Sequence, residues 1–156
     1  YLASDDFPGI GQKTAQKVVE TLGTDLIEIR RMEKACKKDY FVVRTFTDME
    51  SRQAKGSASK LAGSFAVKEA VAKALGTGFR TFMPIDVEVL RDDVGKPYVR
   101  LYRGALARFQ EMGMERLEVS ITNTREYAMA FAVGEGRIKE VQPNEDAGNG
   151  KTDEGH

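Results

Sequence analysis

Residues Phe65–Gly78, FAVKEAVAKALGTG, constrain the fold of this chain more than any other stretch. Val67, Ala70, Val71 and Ala74 recur at helical spacing, which predicts an amphipathic helix of about three turns. Ser57 and Ser59 lie ahead of it as a cap region, and Gly76 and Gly78 stop it. The alanines leave a shallow surface that another element can approach closely, so the helix reads as a central one. Glu69 and Lys73 are four residues apart and stack on a neighbouring face with Phe65. By spacing alone this is a surface ion pair worth at most about 0.5 kcal/mol. The other reading is a carboxylate for a hard cation, with a phosphate-binding lysine beside it. That reading needs a second carboxylate from elsewhere in the chain.

The C-terminal half supplies strands for this helix to pack on. Ile85, Val87 and Val89 alternate with charged residues, Asp92-Asp93-Val94-Gly95 makes a turn, and Lys96-Pro97-Tyr98 opens the return strand of a hairpin ending at Leu101. Gly104–Gly113 reads as a helix with Leu106, Phe109 and Met112 facing in. Leu117, Val119 and Ile121 alternate with Glu118, Ser120 and Thr122, and Asn123-Thr124-Arg125-Glu126 turns the chain. Tyr127–Val133 then alternates large apolar residues with Ala128, Ala130 and Ala132, a strand apolar on both faces whose alanine side can admit a helix. The expected class is α+β, an antiparallel sheet packed on a long central helix.

The N-terminal half is less regular. Gly23–Met32, GTDLIEIRRM, suggests a strand end turning into a helix that carries Ile29, Met32 and Cys36 inward. Arg30, Arg31, Lys34, Lys37 and Lys38 line its outer side, either a solvated face or a dock for an acidic partner. Asp25, at the junction, is either a turn or cap residue or a carboxylate aimed into a cleft. Phe41–Phe46 reads as a short strand or buried connector, and Thr47-Asp48-Met49-Glu50 as a capping box starting a short helix that ends near Lys55-Gly56. Phe7–Gly23 resembles the second half of a helix-hairpin-helix motif, whose Gly-Ile-Gly loop offers amides to a DNA phosphate; the default reading of Pro8–Gly11 is simply a turn before an amphipathic helix. From Gly136 onward the chain reads as a polar, disordered tail.

Composition removes several kinds of chemistry. Lys+Arg and Asp+Glu both number 24 among 156 residues, so the formal charge is zero, which counts against non-specific nucleic-acid binding. No stretch approaches the roughly 18 apolar residues of a membrane span, and no signal-peptide pattern is present. The expected compartment is the cytoplasm. Cys36 is the single cysteine and His156 the single histidine, so serine–histidine, cysteine–histidine and zinc chemistry are disfavoured. Chemistry must run on carboxylates, lysines and hydroxyls, and carboxylate metal sites suit magnesium or calcium.

Three pieces together carry a resemblance: GTDLIEIRRM (Gly23–Met32), KLAGSFAVKEAVAKALGTG (Lys60–Gly78), and the pair IDVEVLRDDVGKPYVRLY and VSITNTREYAMAFAVGE (Ile85–Tyr102 and Val119–Glu135). In this order they resemble the holo-acyl-carrier-protein synthases of the 4′-phosphopantetheinyl transferase superfamily, over roughly Gly23–Glu135. The resemblance implies transfer of the 4′-phosphopantetheine arm of coenzyme A to a serine of an apo acyl carrier protein, for fatty acid biosynthesis, releasing adenosine 3′,5′-bisphosphate. It implies that Asp25 and Glu69 hold one Mg2+, that Glu69 also helps deprotonate the serine, and that Lys73 meets charge developing on the pyrophosphate. It makes Lys68, Lys96, Pro97, Ser120, Thr122, Asn123 and Thr124 candidates for coenzyme A contacts, and Arg31 one for the carrier protein. It also implies a homotrimer with the site between subunits.

The chain departs from the family pattern at two positions. Asn123 stands where many relatives have histidine, and Ser64 where an arginine often precedes the FA-x-KEA element. In addition, Lys17–Leu22 is claimed both by the first strand and by the hairpin-like helix. The expected division is an atypical N-terminal extension over 1–22 (a fusion or misjoined segment), a transferase domain over 23–135 and a polar tail over 136–156. Two other readings follow: a catalytically impaired relative that still binds coenzyme A or carrier protein, and a DNA-binding module led by Pro8–Gly11.

Overall fold

A computed structural model describes residues 18–137. The Pro8–Gly11 motif and the polar segment beyond Gln142 lie outside the described residues. Strand β1 (Val18–Glu28) runs directly into helix α1 (Ile29–Ala35), followed by short helices α2 (Asp39–Thr45) and α3 (Asp48–Ala54). The long helix α4 (Ala58–Ala74) comes next, then the hairpin β2 (Val87–Arg91) and β3 (Pro97–Leu101), helix α5 (Arg103–Glu111), and strands β4 (Met114–Asn123) and β5 (Tyr127–Arg137). The fold is α+β. An antiparallel sheet of order β1-β5-β4 and the separate β2-β3 hairpin surround α4.

Over Val18–Leu22 the contest goes to the strand. Val18 through Glu28 pairs antiparallel with Arg137 through Tyr127 without a break, placing Gly23 opposite Ala132 and Asp25 opposite Ala130. Strand pairing therefore runs through both expected domain edges, at 23 and at 135. Gly23 is needed for contact rather than for a turn: a Cβ there would run into the Ala70 carbonyl and lie 2.8 Å from the Ala74 nitrogen. This close approach sets β1 against α4.

Helix α4 starts earlier than its apolar stripe indicates, because Ser57 caps it by accepting a hydrogen bond from the Lys60 N–H at 3.2 Å. Ala62, Ala66, Ala70 and Ala74 recur every four residues and are all buried. They belong to the same two buried clusters as Ala128, Ala130 and Ala132 of β5. Small residues on both elements allow near-backbone contact over the whole length. The capping box at Thr47 forms as expected: the Thr47 side chain accepts from the Glu50 N–H, and the Glu50 carboxylate accepts from the Thr47 N–H.

Two local expectations are corrected. Phe41–Phe46 is helical as far as Thr45, not a strand; Phe41 and Val42 pack on the buried Phe46 and Met32 while Val43 points to solvent. In α5, Ala105 is the fully buried residue, Phe109 and Met112 pack on the core, and Leu106 faces outward.

Candidate active site

Asp25 and Glu69 come together across the β1–α4 contact that Gly23 permits. The Asp25 side chain is 18 % exposed, and the Lys73 ammonium donates to it at 2.9 Å. The same ammonium donates to the Thr24 carbonyl at 2.9 Å and remains 53 % exposed at the surface. Lys73 therefore bridges α4 to β1 instead of pairing with Glu69 along its own helix. Glu69 is half-buried, and burial raises its carboxyl above the ordinary value; the Asp25 charge adds to the rise and Lys73 opposes it. Two carboxylates thus share a partly dry site with one ammonium, an arrangement short of positive charge. Among the described residues no group of three or more His, Cys, Asp or Glu forms a metal cluster. The oxygen pair fits a hard cation whose other positions are filled by water or substrate oxygens.

Lys68 requires a correction. It is not at the surface with the coenzyme A candidates but wholly enclosed, as is its partner Glu50, at 2.8 Å. Its ammonium also donates to the carbonyls of Pro84 and Val87. Glu50 in turn accepts from the Val89 N–H at 3.1 Å, so three elements meet on one ion pair. Next to it, Thr47 and Tyr102 hydroxyls donate to the buried Glu88 carboxylate at 2.6 and 3.0 Å. Nothing local announces this; a lysine beside a site glutamate reads as solvent-facing until its partner, 18 residues away, is known.

The remaining candidates lie along the β4 side of the sheet. Ser120 and Thr122 are exposed on its open face, opposite Phe131 and Met129. Asn123 donates to the Ser59 carbonyl at 3.0 Å and the Ser59 hydroxyl at 2.6 Å, tying β4 to the start of α4. The Thr124 hydroxyl accepts from the Tyr127 N–H at 3.0 Å and shapes the turn. Lys96 reaches toward Glu118 at 3.7 Å, beside Pro97 at the start of β3. Arg31 is exposed on α1 at the rim of a cavity lined by Leu26, Met32, Phe41 and Phe65. The geometry thus gathers Asp25, Glu69 and Lys73 into one constellation and leaves the phosphate candidates across the sheet. Sequence reasoning missed the Thr24 carbonyl and the steric role of Gly23.

This sheet-on-helix fold is that of a class of transferases. Residues 21–132 match the model of the 4′-phosphopantetheinyl transferase superfamily. The holo-[acyl-carrier-protein] synthase of Lachnoclostridium phytofermentans is 48% identical over 114 residues, covering 73% of this chain and 93% of that protein. The synthase of Clostridium acetobutylicum is 41% identical over 120 residues, covering 74% and 97%. Among solved structures, the Helicobacter pylori holo-[acyl-carrier-protein] synthase in complex with coenzyme A aligns with a TM-score of 0.64 and 27% identity, covering 72% of this chain and 98% of that one. The Bacillus anthracis synthase in complex with CoA (3′,5′-ADP) aligns with a TM-score of 0.63 and 34% identity, covering 77% and 98%. The chain belongs to the 4′-phosphopantetheinyl transferase superfamily and, within it, to the holo-[acyl-carrier-protein] synthases; it is an enzyme.

Proposed function

We propose that this chain moves 4′-phosphopantetheine from coenzyme A to a serine of an apo acyl carrier protein in a magnesium-dependent reaction. Cytoplasmic fatty acid biosynthesis is the setting this chemistry fits. The observation that carries the proposal is the joining of Asp25 on β1 with Glu69 and Lys73 on α4. Asp25 and Glu69 would hold Mg2+, and the bound ion supplies positive charge to the pyrophosphate. Each other role falls to the chain's own groups. Glu69, whose proton affinity burial raises, is suited to take the proton of the attacking serine. The serine oxygen forms a bond to the β-phosphorus, the bond to the bridging oxygen breaks, and adenosine 3′,5′-bisphosphate leaves with the electron pair. Lys73 has three N–H donors, two of them engaged by Asp25 and Thr24, so one remains to meet the departing phosphate.

The open face of the sheet supports a site assembled between subunits. Leu22 and Leu26 of β1 and Met129, Phe131 and Val133 of β5 are exposed side by side, a patch larger than single scattered apolar residues. Ser120 and Thr122 continue the same face on β4. Two strand spacings, roughly 10 Å, separate β1 from β4, so a neighbouring copy's Ser120–Thr124 edge would complete the nucleotide end of the site. A homotrimer is the proposed assembly. Arg31 beside the apolar cavity would meet the acidic carrier protein.

Intact-mass spectrometry of an apo acyl carrier protein, incubated with this protein, coenzyme A and magnesium, tests the reaction. One phosphopantetheine should be added to the carrier, and chelation should prevent it. No gain with a carrier proven apo by a second transferase would overturn the proposal.

A further inference from the structure

Arg91, the last residue of β2, has no role in the arrangement described so far. Its backbone is fixed on both sides by one side chain: the Arg91 N–H donates to the Gln53 amide oxygen at 2.9 Å, and its carbonyl accepts from the Gln53 amide nitrogen at 3.1 Å. Gln53 sits on α3, so strand and helix together aim the guanidinium. That group crosses to α4 over Gly63, where a Cβ would lie 3.4 Å from a guanidinium nitrogen and 3.5 Å from Asn123 Oδ1. Ile121 closes the same spot at 3.0 Å. A Cβ at 63 would therefore crowd Ile121 and touch the other two side chains at ordinary van der Waals distance.

The guanidinium is held but not matched. Among the described residues it takes part in none of the ion pairs, and no acceptor for its N–H groups is found there, although it is half-buried. Burial works against its charge. A planar cation with five donors, placed by two elements beside a polar turn and left without a counter-ion, is suited to an oxyanion. Asn123 is spent on Ser59 through its Nδ2, which fixes its carbonyl toward the arginine side. The Ser59 hydroxyl, which accepts from Asn123 at 2.6 Å, lies at the adjoining helix start with its own O–H as a neutral donor beside the cation.

We propose that Arg91 is a phosphate-binding residue that fixes the nucleotide end of coenzyme A. The inference rests on the coenzyme A reading above. It gives the β4-side candidates the positive charge that the enclosed Lys68 cannot supply to them. Calorimetric titration of the full chain with coenzyme A tests it, comparing the parent, Arg91→Gln and Arg91→Lys, with far-UV circular dichroism to verify folding. Arg91→Gln should weaken binding by about tenfold, and Arg91→Lys should recover part of it, because charge returns without the bidentate fork. Repeating the titration with dephospho-coenzyme A identifies the phosphate: a deficit confined to coenzyme A places the contact at the 3′-phosphate, and an equal deficit places it at the pyrophosphate. If the parent binds and a folded Arg91→Gln binds within twofold of it, the Arg91 inference is wrong and the coenzyme A reading stands. If the parent itself does not bind, that reading fails and this one with it.

Discussion

Glu69 carries two opposed demands. It must be ionised to hold a cation, yet its half-buried place beside Asp25 resists ionisation. The consequence for the metal-free protein has a definite sign. Its folded pKa lies above the ordinary 4.5, so the native state binds the proton more tightly than the unfolded chain does. Below pH 4.5 the group is protonated in both states and costs nothing. As pH rises through the raised folded value, the native state must hold an unfavourable charge and stability falls. Glu69→Gln removes that charge while keeping the shape. It should melt at a higher temperature than the parent at neutral pH without metal, converge with it in acid, and lose transfer activity. Thermal melts from about pH 3.5 to about pH 8 decide this; a variant less stable than the parent at neutral pH would contradict it.

At the scale of elements, the same helix carries the site on one side and an enclosed ion pair on another. Lys68 and Glu50 are adjacent to water nowhere, so removing one partner strands the other. Lys68→Met should cost about 3–5 kcal/mol in urea denaturation. Adding Glu50→Gln, which removes the stranded charge but keeps an acceptor oxygen for only one of the Thr47 and Val89 N–H groups, should recover part of that loss; strictly additive effects would show the pair uncoupled. This pair also marks where sequence reading stops. The capping box at Thr47, the hairpin turn at Asp92–Gly95 and the alternation of β5 are legible because each is a local pattern enforced by backbone hydrogen bonding or a two-residue period. The enclosure of Lys68 is not, since it depends on three distant elements closing over an ammonium. Phe41–Phe46 misleads for a related reason: its β-branched residues favour a strand, but no neighbouring strand is there to pair with, and packing on Met32 and Phe46 selects the helix. Asp25 and Glu69 are nameable by resemblance, whereas Gly23, which lets them meet, shows its purpose only when β1 lies against α4.

For the whole molecule, the two faces of the β1-β5-β4 sheet pose unequal problems. Alanines of β5 seal one face against α4, and the other exposes Leu22 at 65 % and Phe131 at 45 %. Val133 lies opposite Leu22, and the Leu26–Met129 pair flanks Phe131 on its other side, so the exposed apolar residues are contiguous across β1 and β5 rather than isolated. Burying them against copies of the same chain would relieve this and bring one copy's β4 turn beside another's β1 edge. Assembly and catalysis should then fail together. Phe131→Glu places a charge at the centre of this face without touching Asp25, Glu69 or Lys73. Light scattering coupled to gel filtration should give the parent a mass near three times the 17.3 kDa chain and the variant a mass near one. Because Phe131 points away from α4, the variant monomer should retain its helical circular dichroism. Its transfer activity should nevertheless fall by more than about tenfold. Mixing it with excess Glu69→Gln protein, which can supply an intact β4 edge, should not restore activity while the introduced carboxylate blocks the contact. A variant that is monomeric yet fully active would mean that one chain completes the site alone.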